Sequence, residues 1–372
     1  MRENERSAGL RLLRDVAGGP VAIDVTEVLG SDWTPVERWL LSPCEVVAQL
    51  GTSVVVKTRR HDESGWGGDP ANLATEYRAL ATLQAAGVDV APELLAWDDK
   101  AGVLVMSDLA PARPVEDILS GSDPGMAADA LVAMATAVGT MHAATAGMAR
   151  ETWNPSAVLE QDLRAQWARL AGAATRMGFP EPGTAGADVA AIASTLADDA
   201  WRTLTHGDLT PGNALLDGAG TARLVDFEGA GPRHCLYDGA MLSLSFPHYG
   251  HWAALPVEVV TRMEGAYRAA LACGLPLAAD DAAWTVALAA GCLAWTLIRL
   301  VRLDTIARTD QEPDQALRRR TQIVHTVESC VDVARRAGAY PTLTRWLEAV
   351  AREIRRRWPE ANTGPRQFPA LA

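Results

Sequence analysis

Leu204-Thr205-His206-Gly207-Asp208-Leu209-Thr210-Pro211-Gly212-Asn213-Ala214-Leu215-Leu216 is followed, past a turn at Gly218 to Gly220, by Arg223-Leu224-Val225-Asp226-Phe227-Glu228. An acidic residue, a loop with Pro and Gly, an Asn five positions on, an apolar strand, a turn and a second strand ending in Asp come in the order that phosphoryl transfer from a metal-bound nucleotide requires. In that order Asp208 accepts or orients the proton of an attacking hydroxyl. Asn213 offers a neutral carbonyl oxygen to Mg²⁺, and Asp226 the negative oxygen that ties the metal to the phosphates. Hard oxygen donors suit this ion, which also keeps waters and substrate oxygens in its shell. A lone His-Gly-Asp would say little. The whole series, with its hairpin spacing and apolar flanks, is specific.

The segment resembles the catalytic and metal-binding loops of the aminoglycoside phosphotransferase and choline-kinase-like family. These are small-molecule relatives of the protein kinases, with His-Gly-Asp where protein kinases have His-Arg-Asp. The resemblance runs from about Val36 to the C-terminus and is concentrated in Leu204 to Glu228. It implies a bilobal α+β fold: residues 1–107 as a nucleotide-binding lobe with an antiparallel sheet of about five strands and one key helix, and residues 108–372 as a larger, mainly helical lobe. It further implies ATP, with GTP as the alternative, together with Mg²⁺ and a small-molecule hydroxyl as acceptor. Aminoglycosides, macrolides, choline-like amines, sugars and amino-acid alcohols all fall within the family's range. By the same resemblance His206 supports the loop through hydrogen bonds, Glu228 orders a metal-bound water or touches substrate, and Asp238 braces the catalytic loop. Two other readings compete. One is nucleotidyl transfer on the same fold, which releases pyrophosphate instead of ADP. The other is a catalytically silent nucleotide-binding protein, against which the filled chemical positions argue.

The chain of 372 residues exceeds one ordinary core, so two lobes are the prior. A formal net charge of −12 argues against nucleic acid, whose phosphates demand clustered Lys and Arg, and is compatible with a cationic substrate. Five dispersed cysteines without a CxxC pair read as reduced intracellular thiols. The N-terminus, Met1-Arg2-Glu3-Asn4-Glu5-Arg6, lacks the apolar core of a signal peptide. The uncharged run Ala282 to Ile298 falls short of about 20 apolar residues and reads as a buried core helix. The expectation is a cytoplasmic protein that does not use a membrane.

Basic residues are lopsided: the sequence has only two lysines, Lys57 and Lys100. Strands are expected at Val36 to Leu41, Glu45 to Leu50 and Ser53 to Thr58, after a short helix at Ala8 to Val16 and a connector. Lys57 ends the third of them. A compact ammonium suits phosphate contact better than the planar fork that this chain uses nearly everywhere else. In the kinase-like lobe it grips the α- and β-phosphates and pairs with a Glu on the next helix, here Glu76, on the periodic stretch Ala71 to Ala86. A hairpin, Glu93 to Trp97 and Val103 to Met106, leads to a hinge in which the backbone of Asp108 to Ala110 meets the adenine edge. The turn Ser42-Pro43-Cys44 has no glycine, so the loop expected over the phosphates clamps less tightly.

The remainder reads as helix. His142 is expected as a satisfied core histidine, and His248 and His251 as loop residues, since a zinc site needs more ligands. Asp238 is also placed to cap a helix N-terminus. Acidic contacts to the acceptor are sought among Glu258, Glu264, Asp304, Asp310 and Glu312. The runs Arg318-Arg319-Arg320 and Arg355-Arg356-Arg357 read as exposed helix faces, and the tail after Pro359 as disordered.

Overall fold

The computed structural model describes residues 1–29, 35–42, 50–59, 71–149, 153, 159–307 and 313–372. Five antiparallel strands form the N-terminal sheet: β1 (Ile23–Val28), β2 (Val36–Leu41), β3 (Ser53–Thr58), β4 (Leu94–Asp98) and β5 (Val103–Ser107), in the spatial order β1-β2-β3-β5-β4. The valine run of β3 suits a central strand buried on both faces. Val54 and Val56 join Trp39, Val103 and Val105 on one face, closed by Leu13 of helix α1 (Glu3–Ala17). On the other face Lys57 stands between Val36 and Leu104. Helix α2 (Ala71–Ala85) belongs to the core on this side, burying Leu73, Leu80 and Leu83.

Three expectations change here. The first helix runs over Glu3–Ala17, longer than Ala8 to Val16, and the stretch after it is a strand, β1, not a connector. An added Cβ on Gly9 would lie 2.8 Å from the Trp39 ring, so α1 seats directly on the sheet. The strand expected at Glu45 to Leu50 lies, apart from Leu50, outside the described residues, as do Pro43 and Cys44. Because β1 begins the sheet, the connection between its first two strands is Leu29 to Pro35, which contains Gly30. The glycine-free loop was therefore sought at the wrong hairpin.

Beyond Ser107 helices dominate. A short strand β6 (Arg113–Pro114) and helix α3 (Val115–Leu119) lead to α4 (Pro124–Ala144), then α5 (Leu159–Arg176) and α6 (Ala185–Leu196). The quoted stretch forms short strands: β7 (Arg202–Thr205), β8 (Ala214–Leu216), β9 (Ala222–Leu224) and β10 (Gly231–His234). β7 pairs with β10, and β8 lies between β6 and β9. The chain continues through α7 (Leu236–Ser243), α8 (Val257–Ala272), α9 (Asp281–Leu300), α10 (Leu303–Ala307), α11 (Pro313–Ala337) and α12 (Pro341–Arg357).

Two contacts in this lobe matter for the site. Gly139 of α4 lets α8 approach so closely that a Cβ there would sit 2.5 Å from the Tyr267 carbonyl oxygen. Helices α4 and α9 are long and apolar enough to cross a membrane by composition, yet most of each is buried in the fold, α9 against α7 and α11. The tail is a correction. Residues 359–372 are ordered, because Phe368 and Ala370 bury, Gln367 bridges to Ala254, and Phe368 stacks on Tyr249 at 6.5 Å.

Candidate active site

The loop after β7 is held by buried charge and by one glycine. Asp238, fully buried in the first turn of α7, accepts from the backbone N–H of His206 at 2.6 Å and of Gly207 at 3.0 Å. Its carboxylate also receives the Nε2–H of His142 at 3.1 Å, and His142 Nδ1 meets the Tyr267 hydroxyl at 2.9 Å. Burial alone would raise the Asp238 carboxyl; His142, His206 and the backbone donors together bring it below its ordinary value. Asp238 is not the N-cap of α7: Cys235 occupies that position, and the Asp238 side chain turns inward to the loop. His142 is thus satisfied within the core, as its sequence context suggested.

Gly207 has φ +84°, and an added Cβ would lie 2.0 Å from the Gly229 carbonyl oxygen. Gly207→Ala is expected to cost about 2–4 kcal/mol, combining left-handed strain with overpacking against backbone. Thermal unfolding and turnover measured together check this, and an active variant of unchanged Tm would show that the loop has another way to sit.

His206 donates Nε2–H to the Val225 carbonyl at 2.9 Å and accepts the Asp208 N–H on Nδ1 at 3.3 Å. One imidazole therefore ties the Asp208 loop to the strand end that carries Asp226. Asn213 donates Nδ2–H to the Asp208 carbonyl at 2.8 Å, and its own carbonyl accepts the Val225 N–H at 3.0 Å. The first bond turns the amide nitrogen of Asn213 to the loop, so its side-chain oxygen is the atom that could serve a cation. Asp226 sits at φ 68°, a strained backbone for a non-glycine residue, with its side chain 42% exposed. A neutral amide oxygen and an exposed carboxylate are the hard donors Mg²⁺ takes, so this pair fits the ion.

Lys57 stands at the centre of three carboxylates. Its Nζ lies 2.6 Å from Glu76, 2.5 Å from Asp226 and 2.9 Å from Glu228. The directed hydrogen bond goes to Asp226; the Glu76 contact is an ion pair by distance whose angle is poor for hydrogen bonding. Burial would depress the Lys57 ammonium, but the three facing carboxylates outweigh it and hold it well above the ordinary lysine value. Burial pushes Glu76 up to about 7 even against the pull of Lys57, with Asp226 and Glu228 adding to the rise. Oxygens of Glu76, Asp226 and Glu228 lie within 4.8 Å of one another, a spacing that could hold a cation. Here the cation between them is the Lys57 ammonium.

Lys57, Glu76 and Asp226 line one end of a cavity of about 560 Å³ between the sheet and the catalytic loops, with Met106 and the hinge at the other end. The hinge differs in one respect from expectation. The Asp108 carboxylate is engaged by Arg38 at 2.6 Å and Ser53 at 2.6 Å, and it accepts the Ala110 N–H at 3.0 Å. The Ala110 N–H is therefore occupied within the chain, whereas among the described residues the Leu109 N–H has no acceptor.

Two residues near Asp208 escaped the sequence. His248 places Nε2 3.0 Å from Asp208 Oδ1, an ion-pair distance with poor hydrogen-bond direction, and stacks on Trp295 at 5.2 Å. Burial would raise the Asp208 carboxyl, but His248, then His206 and Asn213, hold it below the ordinary value. Glu116 of α3 accepts from the Tyr249 hydroxyl and lies against Gly212 of the catalytic loop. Sequence distance hides both; the only available signal was the Pro247-His248-Tyr249 cluster. Of the acidic residues sought as acceptor contacts, Asp310 and Glu312 fall outside the described residues, and Glu258, Glu264 and Asp304 do not line the cavity that His248 opens onto.

The family model described as the phosphotransferase enzyme family matches residues 46–272, more than half of the chain. The chain belongs to that family: it is a small-molecule phosphotransferase with the bilobal protein-kinase-like fold, as the resemblance in the sequence implied. No curated protein matches it. Among solved structures it is similar to an aminoglycoside phosphotransferase from Alicyclobacillus acidocaldarius subsp. acidocaldarius DSM 446, at 14% identity over 90% of this chain and 92% of that one, with a TM-score of 0.51. Choline kinase LicA from Streptococcus pneumoniae overlaps 88% of this chain and 99% of its own at 14% identity and a TM-score of 0.46. Macrolide 2'-phosphotransferase MphH from Brachybacterium faecium overlaps 80% and 94% at 17% identity and a TM-score of 0.44.

Proposed function

We propose that the chain transfers the γ-phosphoryl group of ATP, bound with Mg²⁺ in the cleft between its lobes, to a hydroxyl of a small molecule in the cytoplasm. The observation that carries this reading is the junction of Lys57 and Asp226 at 2.5 Å, tied through Val225 and His206 to the loop that presents Asp208. Asp208, kept ionised, accepts or orients the proton of the acceptor hydroxyl, which then attacks in line. Asn213 and Asp226 hold the metal, which when bound neutralises charge building on the phosphates. Lys57 exchanges Asp226 for phosphate oxygens while Glu76 retains it. Glu228, in reach of Lys57, helps set the ammonium in place. His206 and Asp238 act through the loop backbone. Positioning and electrostatics then supply most of the rate.

Incubating the chain with Mg-ATP and a panel of sugars, amino sugars and amines, with mass-spectrometric readout, tests this. ADP and a phosphorylated acceptor are expected. Pyrophosphate and a nucleotidylated product would instead establish nucleotidyl transfer, and nucleotide binding without either product a silent binding protein.

A further inference from the structure

The imidazole of His248 is not accounted for by the core around it. Both ring nitrogens are buried, and neither has a hydrogen-bond partner among the described residues. A buried polar atom in that state is unfavourable and calls for a reason. One partner stands ready. Nε2 lies 3.0 Å from Asp208 Oδ1, close enough to bond but poorly directed, and catalytic contacts of this kind often align only in the substrate complex.

The segment that carries His248 is built to hold it there. Ser245 and Phe246, both buried, adopt φ of 54° and 56°, and such backbone in non-glycine residues persists only where the surroundings over-determine it. They do so here from several sides. Gln322 of α11 donates its Nε2–H to the Pro247 carbonyl at 2.9 Å, and Ser245 Oγ accepts the Leu255 N–H at 3.4 Å. Tyr249 donates its hydroxyl to Glu116 and stacks on Phe368. The Trp295 ring lies against the imidazole at 5.2 Å and 21°, and its own Nε1–H is fixed on the Tyr237 carbonyl at 2.8 Å. Asp208 needs such a neighbour. His206 and Asn213 bond to its backbone, whereas its carboxylate, on a side chain 39% exposed, can still swing about its last torsion. A base that takes a proton from an attacking hydroxyl must offer one oxygen in one direction, and a misplacement of about 1 Å costs on the order of a hundred-fold in rate.

We infer that His248 is a positioning residue for phosphoryl transfer: its Nε2–H bonds Oδ1 of Asp208 and so leaves Oδ2 as the oxygen that receives the proton of the acceptor hydroxyl. This rests on the phosphotransferase reading and deepens it. The carboxylate sets the tautomer, since the nitrogen that faces it carries the proton. The imidazole keeps that proton throughout. The hydroxyl proton ends on Oδ2, the acceptor oxygen gains the bond to phosphorus, and the bond from phosphorus to the bridging oxygen breaks with its electron pair going to ADP.

Two substitutions separate the bond from the packing. His248→Phe keeps a ring on Trp295 without an N–H, and His248→Gln keeps an N–H without the ring. ADP release from Mg-ATP, with water and with sugars, amino sugars and amines as acceptors, gives kcat and KM. His248→Phe should lower kcat about ten- to a hundred-fold. Its Mg-ADP affinity should not change, because His248 is not among the residues lining the nucleotide cavity. His248→Gln, with an amide donor, should recover kcat to within about three-fold of wild type. In an Asp208→Asn background, His248→Phe should cost less than about two-fold more, as for two residues acting through one contact. His251→Phe, at an exposed imidazole of the same segment, is the control and should alter nothing. Wild-type kcat in His248→Phe, equal losses in His248→Phe and His248→Gln, or the same loss with and without the Asp208 carboxylate would overturn the inference. A wild-type chain that releases no ADP with any acceptor would count against phosphoryl transfer itself. The contact is then decided by imidazole ¹⁵N NMR of the full chain with Mg-ADP: a bonded Nε2–H that is lost in Asp208→Ala upholds it, and a spectrum indifferent to that change overturns it.

Discussion

Asp208→Ala is expected to lower phosphoryl transfer by about 10²–10⁴-fold while leaving Mg-nucleotide affinity nearly unchanged, the range removed with a positioned general base. The division follows from where the side chain points. Asp208 Oδ1 faces His248, which lines a second cavity, and its side chain is absent from the lining of the nucleotide cleft. Asp226 lies in that cleft beside Lys57. Asp226→Ala should therefore weaken Mg-nucleotide binding as well as turnover. Titrating both variants with Mg-ATP separates the roles, and equal losses of affinity would refute the assignment. The depressed Asp208 carboxyl has a consequence for pH. Its folded value lies below the unfolded one, so it contributes stability above the ordinary carboxylate range that is lost as pH falls through the depressed value. Asp208→Asn should therefore narrow the stability gap between neutral and acid pH.

What could be read beforehand divides along physical lines. The catalytic hairpin was legible because its spacing is local: Asp208, Asn213 and Asp226 lie within one loop and two short strands, and the backbone bonds joining them span few residues. Lys57 and Glu76 were legible because each lies on a strand or helix with clear periodicity. The β1 strand was not, since its burial pattern lacks alternation and Val25 and Val28 face solvent at the sheet edge. His248 and Glu116 were hidden for another reason: each reaches the Asp208 loop from an element distant in sequence, which only tertiary packing brings there. The tail reads as disordered from its polar and proline content, but Phe368 finds Tyr249, more than a hundred residues away.

Lys57 is where composition and geometry meet, and two substitutions separate its catalytic from its structural part. Lys57→Arg keeps the charge, but a planar fork cannot occupy the point at which three carboxylates converge, so turnover should fall about ten-fold or more, at least about 1.4 kcal/mol of transition-state stabilisation. Lys100, exposed in the turn between β4 and β5, is the internal control, and Lys100→Arg should alter nothing. Lys57→Met goes further by leaving Glu76, Asp226 and Glu228 together without their cation. Removing one partner of a buried pair costs about 3–5 kcal/mol. That cost should depend on pH in a definite direction. Glu76 is raised in the folded protein to about 7 from an ordinary value of 4.5, so the folded form holds the extra proton between those values, and stability falls as pH rises through that window. Without Lys57 the carboxyl rises further, and the window extends upward. Denaturant unfolding in the presence of chelator should therefore find Lys57→Met much weaker than wild type at pH 8 and closer to it at pH 5.5, with Glu76→Gln in the same background removing most of the slope. Equal stability of Lys57→Met and wild type at both pH values would mean that the ammonium does not hold the carboxylates, and the lysine would then be a strand residue without a share in the cleft.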